Sequence, residues 1–181
     1  NLACMLRDGK GMKKDIKEAI KYFTLAADQG DADAQCKLGN LYLEGEGVPQ
    51  DFKEAVRLFQ LAADQGHLIA QNNLGVRYQS GQGIDPQMNE ECRMKKAVGL
   101  YRLAAEEGNS LGQNNLGRMY QYGRGVEQSD QEAVRLFKLA AEQGFCRAQT
   151  NLGWMYRHGK GVVQNNQEAA RLYRLAAEQR Y

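Results

Sequence analysis

The feature that most constrains this chain is a Leu-Ala-Ala triplet that returns five times. The triplets begin 36, 42, 36 and 36 residues apart, at Leu25, Leu61, Leu103, Leu139 and Leu175. A fixed period between 20 and 50 residues is typical of solenoids, in which each repeat buries its apolar surface against its neighbours. A stable core then needs at least three stacked repeats, and the 181 residues hold five.

The glycines follow the same period and mark the ends of helices. Five Gly-x-Gly pairs occur, at Gly9/Gly11, Gly45/Gly47, Gly81/Gly83, Gly123/Gly125 and Gly159/Gly161. The segments before them carry apolar residues four apart, such as Ala70, Leu74 and Tyr78, which is helical spacing. A left-handed helix C-cap favours a residue without Cβ. No segment alternates with period two, so each repeat is predicted to be two helices without a strand.

A second helix with its own start signal follows each glycine pair. Four repeats offer an N-cap residue with a glutamate three residues later, which is the spacing of a capping box. These pairs are Asp15 with Glu18, Asp51 with Glu54, Ser129 with Glu132 and Asn165 with Glu168. The sequence therefore predicts ten helical segments.

The repeats define five units of one domain. They cover residues 1–30, 31–66, 67–108, 109–144 and 145–181, and unit 67–108 carries six extra residues around 85–95. Unit 1–30 starts part-way through its first helix, and Arg180 stands where the other units end in glycine. Solenoid ends usually carry polar caps. We therefore expect a fragment of a longer array, with possible end-to-end self-association through its exposed repeat faces.

The repeated pattern is Ala-x-x-x-Leu-Gly-x-x-Tyr-x-x-Gly-x-Gly-Val, followed by Leu-Ala-Ala. It resembles the Sel1-like repeat family, relatives of the tetratricopeptide repeats, and five coincident copies make the resemblance specific. The resemblance implies an all-α fold, a right-handed α-α superhelix of stacked helix-turn-helix repeats. It also implies a non-catalytic scaffold or adaptor that binds a partner peptide or domain in a concave groove lined by the first helices.

Composition and charge exclude several function classes. No apolar run approaches the ~18 residues of a membrane helix, so we expect a soluble chain without membrane contact. The net charge of +2 is too small to attract nucleic acid in bulk. Cys4, Cys36, Cys92 and Cys146 lie far apart without a Cys-x-x-Cys pair, so neither a metal nor a cofactor is expected. Free thiols fit a reducing compartment.

Catalytic motifs are also missing. The Gly-x-Gly pairs follow helices and lack the Gly-Lys-Ser/Thr of a phosphate loop. His67 and His158 are the two histidines, and no nucleophile with a positioned third group accompanies them. Some relatives are linked to β-lactamase activity, but no Ser-x-x-Lys occurs here. We expect no catalytic residues. A weak hydrolase and a nucleic-acid-binding repeat are the alternatives, and the second would need basic groove residues in every unit, which Glu44 contradicts.

Candidate partner-binding residues occupy first-helix positions that differ between units, because positions shared by all units are needed for packing. The late units place Arg118, Tyr122, Arg147, Trp154, Arg157 and His158 there, whereas an early unit places Glu44. Residues 1–90 carry a net charge of −3 and residues 91–181 carry +5. Trp, Tyr and Arg are enriched in binding hot spots. We expect an acidic segment anchored on Trp154, with an ordinary exposed aromatic as the alternative.

Two asparagines complete the predicted site. Asn72 and Asn114 lie on first helices, where an amide side chain could clamp the backbone of a bound peptide through its donor and acceptor. The alternatives are hydrated surface positions or bonds between adjacent units.

Overall fold

The computed structural model describes residues 2–179, and every regular element in that range is an α-helix. The ten helices are α1 (Leu2–Asp8), α2 (Ile16–Asp28), α3 (Ala32–Glu44), α4 (Phe52–Asp64), α5 (Leu68–Ser80), α6 (Glu90–Glu106), α7 (Ser110–Tyr122), α8 (Asp130–Glu142), α9 (Cys146–His158) and α10 (Asn166–Glu178). The predicted ten-helix architecture is confirmed. Odd-numbered helices are the first helices of the repeats, and even-numbered helices are the second.

The chain divides into two compact units. Residues 1–88 hold α1 to α5, and residues 89–181 hold α6 to α10. The boundary falls in the repeat with extra residues. Those residues lengthen its second helix, α6, to 17 residues, against 13 in the other second helices. The Asn89 side chain caps α6 by accepting a hydrogen bond from the Cys92 N–H.

The glycine pairs end the first helices as the sequence predicts. Gly45, Gly123 and Gly159 are left-handed C-caps with φ of 72°, 62° and 63°. The second glycine of a pair allows close packing of the turn against another helix. A Cβ on Gly125 would lie 2.6 Å from the backbone carbon of Met94, so this turn can pack directly against the start of the preceding second helix.

The predicted N-caps of α2, α4, α8 and α10 are confirmed, but the reciprocal half of the capping box is not formed. Asp51 accepts from the Glu54 N–H, whereas its own N–H donates to the Tyr42 carbonyl at 2.9 Å. The Glu54 carboxylate instead forms an ion pair with Arg57, 2.6 Å away. An arginine three residues further along the helix competes successfully for the glutamate.

Small and aromatic residues interlock between the two helices of a repeat. A Cβ on Gly117 of α7 would lie 2.7 Å from the ring of Phe137 on α8, which is completely buried. Gly39 with Phe59 and Gly153 with Tyr173 repeat the arrangement. The glycine that follows leucine in the repeated pattern is therefore a site of close helix approach.

A series of buried glutamines ties neighbouring repeats together, and the sequence analysis overlooked it. Gln113 on α7 donates to the Ala105 carbonyl at the end of α6, and it accepts from Gln143 at the end of α8 at 2.9 Å. Gln35 and Gln149 make the equivalent pairs with Gln65 and Gln179. Its occurrence at one position in four repeats was a visible signal for a packing role.

Candidate partner-binding surface

Residues spaced four, three and four apart share one face of a first helix. On α9 these are Arg147, Asn151, Trp154 and His158, and on α7 they are Leu111, Asn115, Arg118 and Tyr122. Two bonds show that α7 and α9 are neighbours. Asn151 donates to Asn114 at 2.8 Å, and the Gln121 amide lies 3.6 Å from the Met155 sulfur.

We call Arg118, Tyr122, Arg147, Trp154 and His158 the basic-aromatic face. All five side chains are exposed. Two adjacent helices within residues 89–181 carry them at matching repeat positions. The structure therefore brings together five of the nine residues that the sequence singled out.

Trp154 and His158 form the ordered centre of this face. Their rings are stacked with centroids 4.3 Å apart and an interplanar angle of 27°. His158 Nδ1 lies 2.9 Å from the Trp154 carbonyl oxygen, which fits an Nδ1–H donor and holds the imidazole over the indole. Trp154 nevertheless stays 39% exposed, so the stacked pair presents an oriented indole ring to solvent.

Arg157 is also exposed, and it lies next to Trp154 on the surface of α9, three residues further along the helix. Its counterpart on α7 is Gln121, which is buried and contacts Met155 of the next first helix. On α7 this position thus faces α9, whereas on α9 it is exposed to solvent. Arg157 therefore borders the basic-aromatic face.

The expectation that Asn72 and Asn114 line an open groove is contradicted, because their side chains are only 1% and 2% exposed. Asn72 donates to the Leu68 carbonyl at 2.9 Å, and Asn114 accepts from Asn151. Asn114 immediately precedes Asn115, a residue of the face described above. This shift by one residue turns the Asn114 side chain toward α9, the next first helix. The alternative of bonds between adjacent units holds for Asn114.

Glu44 is exposed on α3, in the compact unit of residues 1–88. Asp33 lies on the same side of α3 and is 3.1 Å from Lys37 and 2.9 Å from His67 Nε2. The hydrogen bond from His67, followed by that from Lys37, lowers the pKa of Asp33. This face carries the acidic side chains expected for the early units.

The cysteines and acidic groups offer no metal site. All four cysteines lie in the described range and are free thiols. Burial, aided by the Asp33 charge, raises the pKa of Cys36 to about 11, which keeps this thiol protonated and unreactive. Within residues 2–179, no three His, Cys, Asp or Glu side chains are arranged to hold a metal ion. Nor is any helix in that range long and apolar enough to cross a membrane.

Comparison with protein families matches the Sel1 repeat at residues 1–31, 32–67, 68–109, 110–145 and 146–181. The chain belongs to the Sel1 repeat family. Members of this family are generally non-catalytic scaffolds for protein interactions, and the chain has the architecture for that role. A comparison with curated proteins found no significant match.

Solved structures of Sel1 repeat proteins share the fold. A protective antigen of uropathogenic Escherichia coli strains is 35% identical over 98% of this chain, with a TM-score of 0.86. A Sel1 repeat protein from Oxalobacter formigenes is 30% identical over 98%, with a TM-score of 0.90. The chain spans 37% of the first protein and 68% of the second. These neighbours confirm the predicted solenoid fold class.

A more distant neighbour shows the fold alone. Immunity protein Pa5087 from Pseudomonas aeruginosa is 22% identical over 98% of this chain and 63% of its own, with a TM-score of 0.63. This neighbour has a different name and role but a similar fold, so function must be argued from the surface of this chain.

Proposed function

We propose that this chain is a non-catalytic interaction scaffold whose basic-aromatic face binds an acidic segment of a protein partner. The stacked Trp154–His158 pair carries the proposal. An exposed indole held by a second ring has already lost much of its rotamer freedom, so binding costs less ordering entropy there. Aromatic side chains of this kind are typical hot-spot anchors.

The charges around the stacked Trp154–His158 pair favour an acidic partner. Arg118 and Arg147 flank it on neighbouring helices, and both guanidinium groups are exposed. An arginine fork can bind a carboxylate through two parallel hydrogen bonds. A segment with one apolar side chain and nearby carboxylates, or a carboxyl terminus, fits this arrangement.

The described residues support binding better than catalysis. His158 is committed to the Trp154 carbonyl and ring, and His67 caps α5 while bonding to Asp33. Neither imidazole lies in a hydrogen bond with a cysteine or a hydroxyl nucleophile among the bonds seen in residues 2–179. We therefore assign no catalytic step to this chain.

The test compares Trp154→Ala with Tyr22→Ala in affinity capture, followed by titration of the captured protein. Tyr22 is a matched control, because it is an aromatic residue with the same 39% exposure on α2. If Trp154 is a hot spot, its truncation costs ~2 kcal/mol, about thirtyfold in affinity, and Tyr22→Ala changes nothing.

Salt dependence completes the test. Arg118→Gln and Arg147→Gln should weaken binding most at low salt, because the exposed charges are screened at high salt. The Trp154 contribution should persist at both salt concentrations. Equal affinity of wild type, Trp154→Ala and both arginine variants would show that the partner binds elsewhere.

A further inference from the structure

A leucine at one position of every second helix is accessible to solvent. Leu25, Leu61, Leu103 and Leu139 are between 38% and 57% exposed, although the alanine that follows each of the last three is completely buried. Leu175 holds the same position on α10. Single exposed leucines are ordinary, but an apolar row at a fixed repeat position indicates an interaction surface.

Clefts accompany this row in the compact unit of residues 89–181. Leu139, Leu116 and Tyr120 line a cleft of about 370 Å³ between consecutive repeats. Leu175, Leu152 and Tyr156 line the equivalent cleft of about 440 Å³ one repeat later. We call Leu103, Leu139, Leu175 and these two clefts the leucine face. It offers projecting apolar side chains beside clefts at the same spacing, and these clefts are lined by both apolar and charged side chains, among them Arg102, Glu106, Lys138 and Glu142.

Charges of opposite sign lie about one turn apart along each second helix of the leucine face. A basic residue precedes each leucine, and an acidic residue follows three positions later. The basic residues are Arg102, Lys138 and Arg174, and the acidic residues are Glu106, Glu142 and Glu178. Among the described residues, Arg102, Glu106 and Glu142 have no ion-pair partner within 4.0 Å, whereas Arg135 and Arg171 on the same helices are paired.

We propose that a second copy of this chain packs on the leucine face about a two-fold axis. The axis lies in the plane of the interface and runs from α6 across α8 to α10. The helices of the second copy therefore run in the opposite direction to those of the first. The basic row of each copy then faces the acidic row of the other, and the leucines of each enter the clefts of the other. Such self-complementarity is what a two-fold interface requires of one surface.

The available area suffices for a dimer of moderate affinity. A 13-residue helix is about 20 Å long. Each helix packs chiefly against its chain neighbours, so α6, α8 and α10 lie at least one helix diameter of about 10 Å apart and present at least about 600 Å² per copy, or about 1,200 Å² in total. That lies at the lower end of specific interfaces. The dimer is expected to be reversible at micromolar concentrations.

The first test measures the mass of the 181-residue chain by sedimentation equilibrium over a range of concentrations. Wild type should approach twice 20.3 kDa as the concentration rises. Leu139→Glu should weaken the dimer at least tenfold, because a charged side chain would replace an apolar one at the centre of the interface. Val163→Glu is the matched control, since Val163 is 88% exposed and lies outside the leucine face. It should leave the dimer unchanged.

The second test changes exposed charged side chains, so its result does not depend on whether the fold tolerates a substitution in an apolar region. Lys138→Glu and Glu142→Lys should each weaken the homodimer, because like charges then face each other. An equimolar mixture of the two variants should dimerise again, since each reversed charge meets its opposite in the other copy. Circular dichroism melts verify that all variants stay folded.

Three outcomes would overturn the proposal. The chain could remain monomeric at every concentration, or the mixture of charge variants could fail to associate. A dimer that is indifferent to Leu139→Glu and to both charge reversals would instead form through the ends of the array. None of these residues belongs to the basic-aromatic face, so the result does not depend on the proposed function.

Discussion

At the scale of single residues, His67 shows how one side chain can connect two repeats. Its Nδ1 accepts the Ala70 N–H at 3.1 Å and caps α5, while its Nε2 lies 2.9 Å from the Asp33 carboxylate on α3. The neutral Nε2–H tautomer satisfies both bonds. Histidine is not among the preferred N-cap residues, so the sequence alone does not indicate this role.

Two substitutions separate the roles of His67. His67→Ala should cost about 1 kcal/mol at pH 7 through the lost cap. His67→Asn should preserve the cap, because Asn109 caps α7 from the same repeat position. Urea unfolding measures both effects. Equal destabilisation by alanine and asparagine would mean that the Asp33 bond, and not the cap, is what stabilises α5.

Either substitution should raise the pKa of Asp33, whose pKa is lowered chiefly by the His67 bond. A carboxyl with a lowered pKa stabilises the fold above its ordinary value of 3.8, and this contribution is lost as the pH falls through the lowered value. Both variants should therefore lose stability at neutral pH relative to wild type by this route and converge with it in acid. NMR titration of the Asp33 carboxyl carbon measures the shift directly, and an unchanged pKa would contradict the assignment.

At the scale of helices, the sequence predicted what local chemistry controls. Left-handed glycines and side-chain caps place helix ends within one or two residues, so Asp51 and Gly45 could be identified in advance. The sequence did not predict the ion pair of Glu54 with Arg57, because a glutamate at this position can bond either to the N-cap backbone or to an arginine. Nor did it predict burial that depends on a neighbouring repeat. Asn114 differs from the exposed Arg118 only in the direction it faces, which repeat comparison alone does not reveal.

Two glycines on helices provide a matched test of packing. A Cβ on Gly117 would lie 2.7 Å from the buried Phe137 ring, whereas a Cβ on Gly99 of α6 would meet no atom within 4 Å. Gly99→Ala should stabilise by about 0.5–1 kcal/mol through helix propensity. Gly117→Ala should destabilise, because overpacking costs about 1–3 kcal/mol. Urea unfolding measures both, and a stabilised Gly117→Ala would show that the helices can separate without penalty.

At the scale of the whole molecule, the fold class could be predicted because one two-helix unit repeats five times along the sequence. The repeat period fixes which helices are equivalent, and the 42-residue spacing marks the unit where the division into two compact units falls. The leucine face was not predicted. A leucine that recurs at one position in every unit is expected to pack in the core, and only its exposure in the structure distinguishes a recurring surface row from a core position.

The repeat logic also predicts how added repeats affect α1. Leu2 and Met5 are 43% and 39% exposed, whereas Leu74 and Met155 at the same repeat positions are completely buried. Residues 109–150 fused directly before Asn1 preserve the period, because Asn1 aligns with Asn151. Covering Leu2 and Met5 should contribute about 2 kcal/mol.

This contribution should raise Tm by about 4–8 °C. A Gly/Ser segment of the same length is the control and should leave Tm unchanged. The fusion should also reduce any association through the N-terminal end of the array, whereas dimerisation through the leucine face should persist, since that face lies on α6, α8 and α10. An equal Tm for fusion and control would mean that α1 gains nothing from a preceding repeat.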